Sequence, residues 1–184
     1  TDPFKLFKEW YDQAQTIDVI EPTAVILATA SADGKPSLRT MLMKEYDERG
    51  FCFFTNFTSR KGKELLENPY AAMCFYWDAL SQQIRIEGKV ERVSEKEADR
   101  YFASRSRGSQ IGAWSSKQSL PMQNNELLSR VKVVTEQFNA QPIPRPPFWS
   151  GFRLIADTFE FWQKGEHRLH KRLLYTKVTN KEWN

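Results

Sequence analysis

The stretch AVILATASADGKPSLRTMLMKEYDERGFCFFTNF, residues 24–57, decides the fold. Its first seven residues, Ala24 to Ala30, are a continuous apolar run of strand length. Asp33-Gly34 follows, a dipeptide that tolerates positive φ and marks a tight hairpin. The chain returns from Pro36 to Lys44 as a second strand, turns over Tyr46-Asp47-Glu48-Arg49-Gly50, and runs out again as FCFFTNF (51–57). Strands joined by short turns form an antiparallel meander, which argues against the alternating βαβ order of a parallel sheet.

The same pattern continues outward. AAMCFYW (71–77) and QQIRIEGKVERV (82–93) read as strands. In the second, Ile84, Ile86, Gly88 and Val90 alternate with Arg85, Glu87 and Lys89, so one face is wet. Three more strands are expected at 148–156, 158–164 and 170–178. Helices fill the gaps. Phe4, Phe7, Trp10 and Tyr11 share one face over 3–15, Ser59 caps a short helix that Asn68-Pro69 stops, and Ser94-Glu95-Lys96-Glu97 is a capping box opening a helix to about Ser104. Residues 105–119 read as a loop with a short helix, and 123–139 as a longer helix. Six to eight antiparallel strands with four helices predict a mainly β (α+β) chain whose sheet curls into a small barrel, because closure hides its edges.

Composition sets the remaining bounds. At 184 residues the chain is expected to form one domain over 1–184 and to bury roughly 70% of its unfolded surface. With 40% hydrophobic and 27% charged residues it is too apolar for disorder and too charged for a membrane protein. There is no apolar run near the roughly 18 residues of a spanning helix and no signal-peptide pattern. Cys52 and Cys74 sit in apolar, aromatic runs without a CxxC motif, so free thiols and a cytoplasmic location are expected. The missing initiator Met suggests a processed or trimmed chain. A net charge of +4 and a pI near 9.0 raise the question of nucleic acid, but no continuous basic stripe or RNP-type motif supports it.

GxGxxG, the P-loop, GxSxG, HExxH and zinc spacings are all absent. His167 and His170 alone make a weak metal site. What remains is cations. Arg39 and Lys44 lie on the second strand. Arg60-Lys61 opens a helix, where an anion would meet free backbone N–H groups, the positive helix end and two side-chain charges; a solvated basic helix start is the plainer alternative. Arg105-Ser106-Arg107-Gly108-Ser109, with Gln118-Ser119, suits phosphate oxygens or is an ordinary polar loop. Arg168, His170 and Arg172 would share one face of an alternating strand, either facing an anion or lying on an exposed edge. Together with 14% aromatic residues, these clusters suggest a planar, phosphorylated ligand.

These stretches closely resemble the pyridoxine (pyridoxamine) 5′-phosphate oxidase family. SLRTMLMK (37–44), FFTNFTSRKGKEL (53–65), FYWDALSQQIRIEG (75–88), YFASRSRGSQIGAWSSKQS (101–119) and FWQKGEHRLHKR (161–172) occur in the family's order and spacing. The resemblance implies an FMN-binding split β-barrel with surrounding helices, forming a homodimer with FMN at the subunit interface. It implies oxidation of pyridoxine or pyridoxamine 5′-phosphate to pyridoxal 5′-phosphate, with O2 as acceptor and H2O2 as product. Family FMN contacts fall on Arg39, Thr40, Met41, Leu42, Phe54, Thr55, Arg60, Lys61, Gln83, Gln118, Ser119, Trp162 and Arg172. Substrate contacts fall on Lys44, Tyr101, Arg105 and Ser109, with Arg168 and His170 over the pyridine ring as the catalytic pair. No metal, membrane or nucleic-acid partner is implied. A flavin split-barrel oxidoreductase of another substrate, or a non-catalytic binder of FMN or pyridoxal phosphate, is the alternative.

Two departures stand out. The family usually reads Arg-Leu-His-Asp-Arg, whereas position 171 here is Lys. It also usually ends Arg-Leu-Ala/Ser-Pro shortly after a Trp, whereas this chain stops at Asn184, just past Trp183, so a missing terminal piece is expected.

Overall fold

The structure is a computed structural model describing residues 2–17, 19–123, 125–179 and 182–184. Strands β1 (Ala24–Ala30) and β2 (Pro36–Leu42) pair antiparallel from Ala24–Leu42 to Ala30–Pro36. Gly34 takes φ +82° in the turn between them, the left-handed conformation that Asp-Gly permits. The chain then crosses to β3 (Glu45–Asp47) and β4 (Gly50–Asn56) through Met43 and Lys44. Met43 N donates to Thr23 O beside β1, and Lys44 N donates to Cys52 O on β4, both at 2.9 Å.

With β5 (Tyr70–Trp77), β6 (Gln82–Arg92) and β7 (Trp149–Gln163), the strand order is β2-β1-β5-β6-β7-β4-β3. The two end strands, β2 and β3, are thus separated in the chain by only Met43 and Lys44. A flat sheet of seven strands cannot bring its ends that close, so the sheet curls back on itself. β7 is shared: its first half pairs with β4 (Trp149–Asn56 to Leu154–Phe51) and its second half with β8 (Lys171–Thr179). β9 (Glu182–Trp183) lies against β8.

Two details correct the sequence reading. The segments expected as two strands, 148–156 and 158–164, are one strand. Gly88 pairs with Ala156 and Glu87 with Thr158, so Asp157 is the extra residue of a bulge rather than a turn. A Cβ on Gly88 would lie 1.9 Å from Ile155 O, so only glycine fits there. The turn expected at 46–50 is narrower: β3 pairs with the start of β4 across Glu48-Arg49, and Tyr46 packs edge-on against Phe7, 4.9 Å between ring centroids.

Among the described residues the α-helices are α1 (Pro3–Thr16), α2 (Arg60–Glu67), α3 (Glu95–Ser104), α4 (Arg107–Ser115), which is the short helix read within 105–119, and α5 (Glu126–Phe138). α1 plugs the barrel: Phe7 is fully buried among Tyr46, Phe51, Phe75 and Trp77. Burial of such a side chain contributes roughly 1.5–3 kcal/mol. A second cluster (Phe102, Ile111, Val134, Ile143, Trp149) packs α3, α4 and α5 against the start of β7. Cys52 and Cys74 are both free, and burial pushes the Cys52 thiol up to about 11, which leaves it unreactive. Among the described residues no helix is long and apolar enough to cross a membrane.

Candidate functional site

The functional side chains collect where β4 hands over to α2. Ser59 caps α2, its Oγ accepting from Gly62 N at 3.2 Å, and Arg60 and Lys61 occupy the first turn, which has no acidic residue. Two cations at the positive end of a helix dipole oppose it, unless an anion binds there. Lys61 is 5% exposed; its Nζ donates to Thr55 Oγ1 (3.2 Å) and Gln118 Oε1 (3.1 Å). Burial first, and the nearby Arg39 charge second, lower its pKa to about 8. Ser119, with φ +68°, turns its Oγ to accept from Arg60 N at 3.1 Å. Arg39 reaches the same corner from β2 and lies 3.5 Å from the Glu64 carboxylate, which also accepts from Arg60 Nε at 2.8 Å.

A cavity of about 360 Å3 adjoins this corner, lined by Lys44, Phe54, Thr55, Asn56, Tyr101, Arg105, Ser109, Gln118 and Trp149 among others. Lys44, Tyr101, Arg105 and Ser109, four of the six residues expected on the substrate side, line it. Tyr101 stacks on Phe54 at 3.9 Å, and the Arg105 guanidinium sits 4.9 Å over the Trp149 ring. Burial lowers the Arg105 pKa, yet its buried Nη1 has no hydrogen-bond partner among the described residues. A desolvated guanidinium with an unmet donor suits an anionic ligand. Thr55 and Gln118 line this cavity and also hold Lys61, so the two cationic regions are continuous.

The remaining residues gather elsewhere. On β2, Arg39 and Met41 face inward, Met41 against the core, whereas Thr40 and Leu42 face outward. Gln83, Trp162 and Arg172 are in register across β6, β7 and β8. His170 lies against Trp162, 4.7 Å between centroids, and its Nδ1 accepts from Gly165 N at 3.2 Å. Arg168 is not on a strand face with His170 and Arg172: it ends a 3-10 turn (Glu166–Arg168) with φ +64°, and β8 begins only at Lys171. None of Gln83, Trp162, Arg168, His170 and Arg172 lines the cavity. Among the described residues no cluster of three or more His, Cys, Asp or Glu side chains could hold a metal ion.

Residues 12–139 match the family model described as pyridoxamine 5′-phosphate oxidase, and residues 149–184 match the one described as the pyridoxine 5′-phosphate oxidase C-terminal dimerisation region. The chain belongs to the pyridoxamine 5′-phosphate oxidase family. It is 51% identical, over 95% of its length and 85% of the relative, to a pyridoxine/pyridoxamine 5′-phosphate oxidase of Myxococcus xanthus. A relative of the same description from Bordetella petrii is 53% identical over 94% of the chain and 82% of its own length. Among solved structures, PhzG from Burkholderia lata, in complex with tetrahydrophenazine-1-carboxylic acid, superposes with a TM-score of 0.92 at 35% identity, covering 100% of this chain and 90% of that one. A pyridoxamine 5′-phosphate oxidase-related, FMN-binding protein from Nostoc punctiforme shares the fold, with a TM-score of 0.79 at 17% identity, over 100% of this chain and 96% of its own.

Within this oxidase-family fold, the matched dimerisation region contains Trp162, Arg168, His170 and Arg172. Two residues of the site escape the sequence reading. Glu64 stands four residues after Arg60, the spacing of a helical ion pair, and that was its available signal. Trp149 lies on a distant strand, and nothing in its local sequence ties it to Arg105.

Proposed function

We propose that the chain oxidises pyridoxine 5′-phosphate and pyridoxamine 5′-phosphate to pyridoxal 5′-phosphate, with FMN as cofactor and O2 as acceptor. For the amine, substrate, O2 and water give the aldehyde, ammonium and H2O2; the alcohol needs no water. The observation that carries this reading is the pair of adjoining cationic pockets, one at the α2 N-terminus and one around Arg105, joined by Thr55 and Gln118. Two pockets suit two phosphorylated molecules held side by side, each bearing about −1.5 to −2 charges. Relatives near 50% identity that carry the oxidase name support the substrate class.

Arg39, Arg60, Lys61 and Ser119 would hold the flavin phosphate. Lys44, Tyr101, Arg105 and Ser109 would hold the substrate phosphate. FMN, when bound, supplies the hydride-accepting ring and the route of electrons to O2. The protein's part is to orient the substrate, exclude water and present charge. Arg168 and His170 would lie over the substrate ring, Arg168 orienting it and His170 handling a proton. Because they sit apart from the cavity within one chain, we infer that a second copy supplies them, in a homodimer whose sites lie at the interface.

The PhzG likeness favours one other reading: the same cations would also receive an aromatic carboxylate. Anaerobic mixing of the FMN-loaded protein with each compound separates the two. We expect pyridoxamine 5′-phosphate to bleach the flavin's visible absorbance in a single reductive half-reaction, with H2O2 appearing when air is admitted. Bleaching by tetrahydrophenazine-1-carboxylic acid alone would reverse the assignment.

A further inference from the structure

We infer that Glu64 is a positioning residue for the flavin phosphate: its buried carboxylate fixes the guanidinium groups of Arg39 and Arg60, one from a strand and one from a helix, toward a single anion. The inference rests on the flavin reading above. Glu64 is 6% exposed. Its Oε2 accepts from Thr29 Oγ1 (2.5 Å) and Ser37 Oγ (2.6 Å), and its Oε1 from Arg60 Nε (2.8 Å). A carboxylate only accepts, so both hydroxyl protons must point at Glu64. That leaves the hydroxyl lone pairs for Arg39, whose Nη1 donates to Thr29 Oγ1 (2.6 Å) and whose Nη2 donates to Ser37 Oγ (2.5 Å). The polarity of the whole relay is therefore set by the charge at position 64. Arg60 commits only its Nε, and its two Nη groups have no partner among the described residues.

Charge matching points the same way. Arg39, Arg60 and Lys61 bring three positive charges into one corner, and Glu64 leaves two net. A phosphate monoester carries about −1.5 to −2. Without the carboxylate the arginines would repel each other, and Arg39 would lose the orientation of both hydroxyls. A carboxylate beside a phosphate site would weaken anion binding by simple charge, so the inference holds that orientation outweighs repulsion here.

A role confined to tying α2 to the β1–β2 hairpin would affect every flavin alike, so the test compares FMN with riboflavin, which lacks the phosphate. Dissociation constants are measured by fluorescence quenching for wild type, Glu64→Gln and Ser37→Ala, with thermal melts to verify folding. We expect Glu64→Gln to weaken FMN binding about tenfold to a hundredfold, the range of one lost charge-assisted contact, while riboflavin binding changes by less than about twofold. Ser37→Ala, a milder cut in the relay, should show the same selectivity at smaller amplitude, and it carries the test if Glu64→Gln does not fold. Equal losses for FMN and riboflavin, unchanged FMN binding, or tighter FMN binding would each overturn the assignment of Glu64. Failure of the wild type to bind FMN would instead overturn the flavin reading itself.

Discussion

Replacing Arg105 with leucine is expected to lower kcat/KM for pyridoxamine 5′-phosphate about a hundredfold, mostly through KM, while FMN affinity stays within about twofold. The guanidinium lies half-buried over Trp149, with one buried nitrogen unpaired, in a cavity shared with Lys44, Tyr101 and Ser109. A charge-assisted hydrogen bond is worth about 1.5–3 kcal/mol, and about 1.4 kcal/mol corresponds to a factor of ten. Leucine keeps much of the contact with Trp149, so the loss reports on charge rather than on packing. Unphosphorylated pyridoxamine makes the control. Wild type should prefer the phosphorylated substrate strongly, and the variant should lose most of that preference. An equal loss on both substrates would mean that Arg105 supports the pocket walls and does not read the phosphate.

Lys61→Met should weaken FMN binding at neutral pH by about tenfold to a hundredfold, on the same scale of charge-assisted contacts. It should also remove a pH dependence. In the free protein Lys61 is held at about 8, chiefly by burial. An arriving phosphate favours the ammonium and raises that value, so above pH 8 binding must take up a proton. Wild-type FMN affinity should therefore fall as pH rises past 8, approaching tenfold per unit. Below about 6 the phosphate itself protonates and affinity falls for a second reason. The expected profile is a plateau between these limits. In Lys61→Met the alkaline limb should flatten and the acid limb remain. A retained alkaline limb would assign the proton to another group.

Both residues stand out in the sequence, for different reasons: Lys61 opens a helix straight after an apolar strand, whereas Arg105 lies in a stretch that reads as a polar loop and takes its role from the family resemblance. Ser59-Arg60-Lys61 begins a helix directly after an apolar strand, and Ser59 caps it as its side chain predicts. Arg105 stands just before Ser106, whose Oγ caps α4 by accepting from Ser109 N. What escaped depends on tertiary contacts. Short β3 pairs with β4 across Glu48-Arg49, and its Tyr46 is anchored on Phe7, which lies in a helix some forty residues away. Asp157 interrupts an alternation and reads as a turn, although the uninterrupted pairing partner β6 carries the strand straight through it. Alternation extended backward from β8 puts Arg168 on a strand face, but a left-handed residue pair, His167 and Arg168, breaks that alternation before it begins. Glu64 has an ordinary helical spacing; its burial beneath two arginines follows from how α2 lies against the β1–β2 hairpin.

The central claim is that each site is assembled from two copies of the chain, with the Arg105 cavity from one and the Arg168 turn from the other. It is tested by co-expressing differently tagged Arg105→Leu and Arg168→Ala chains and isolating the mixed dimer. Each variant alone should be nearly inactive. In the mixed dimer one site receives both substitutions and the other receives neither, so about half of wild-type activity should return. A mixed dimer no more active than either parent would place both residues in a site made by a single chain, and would contradict the account.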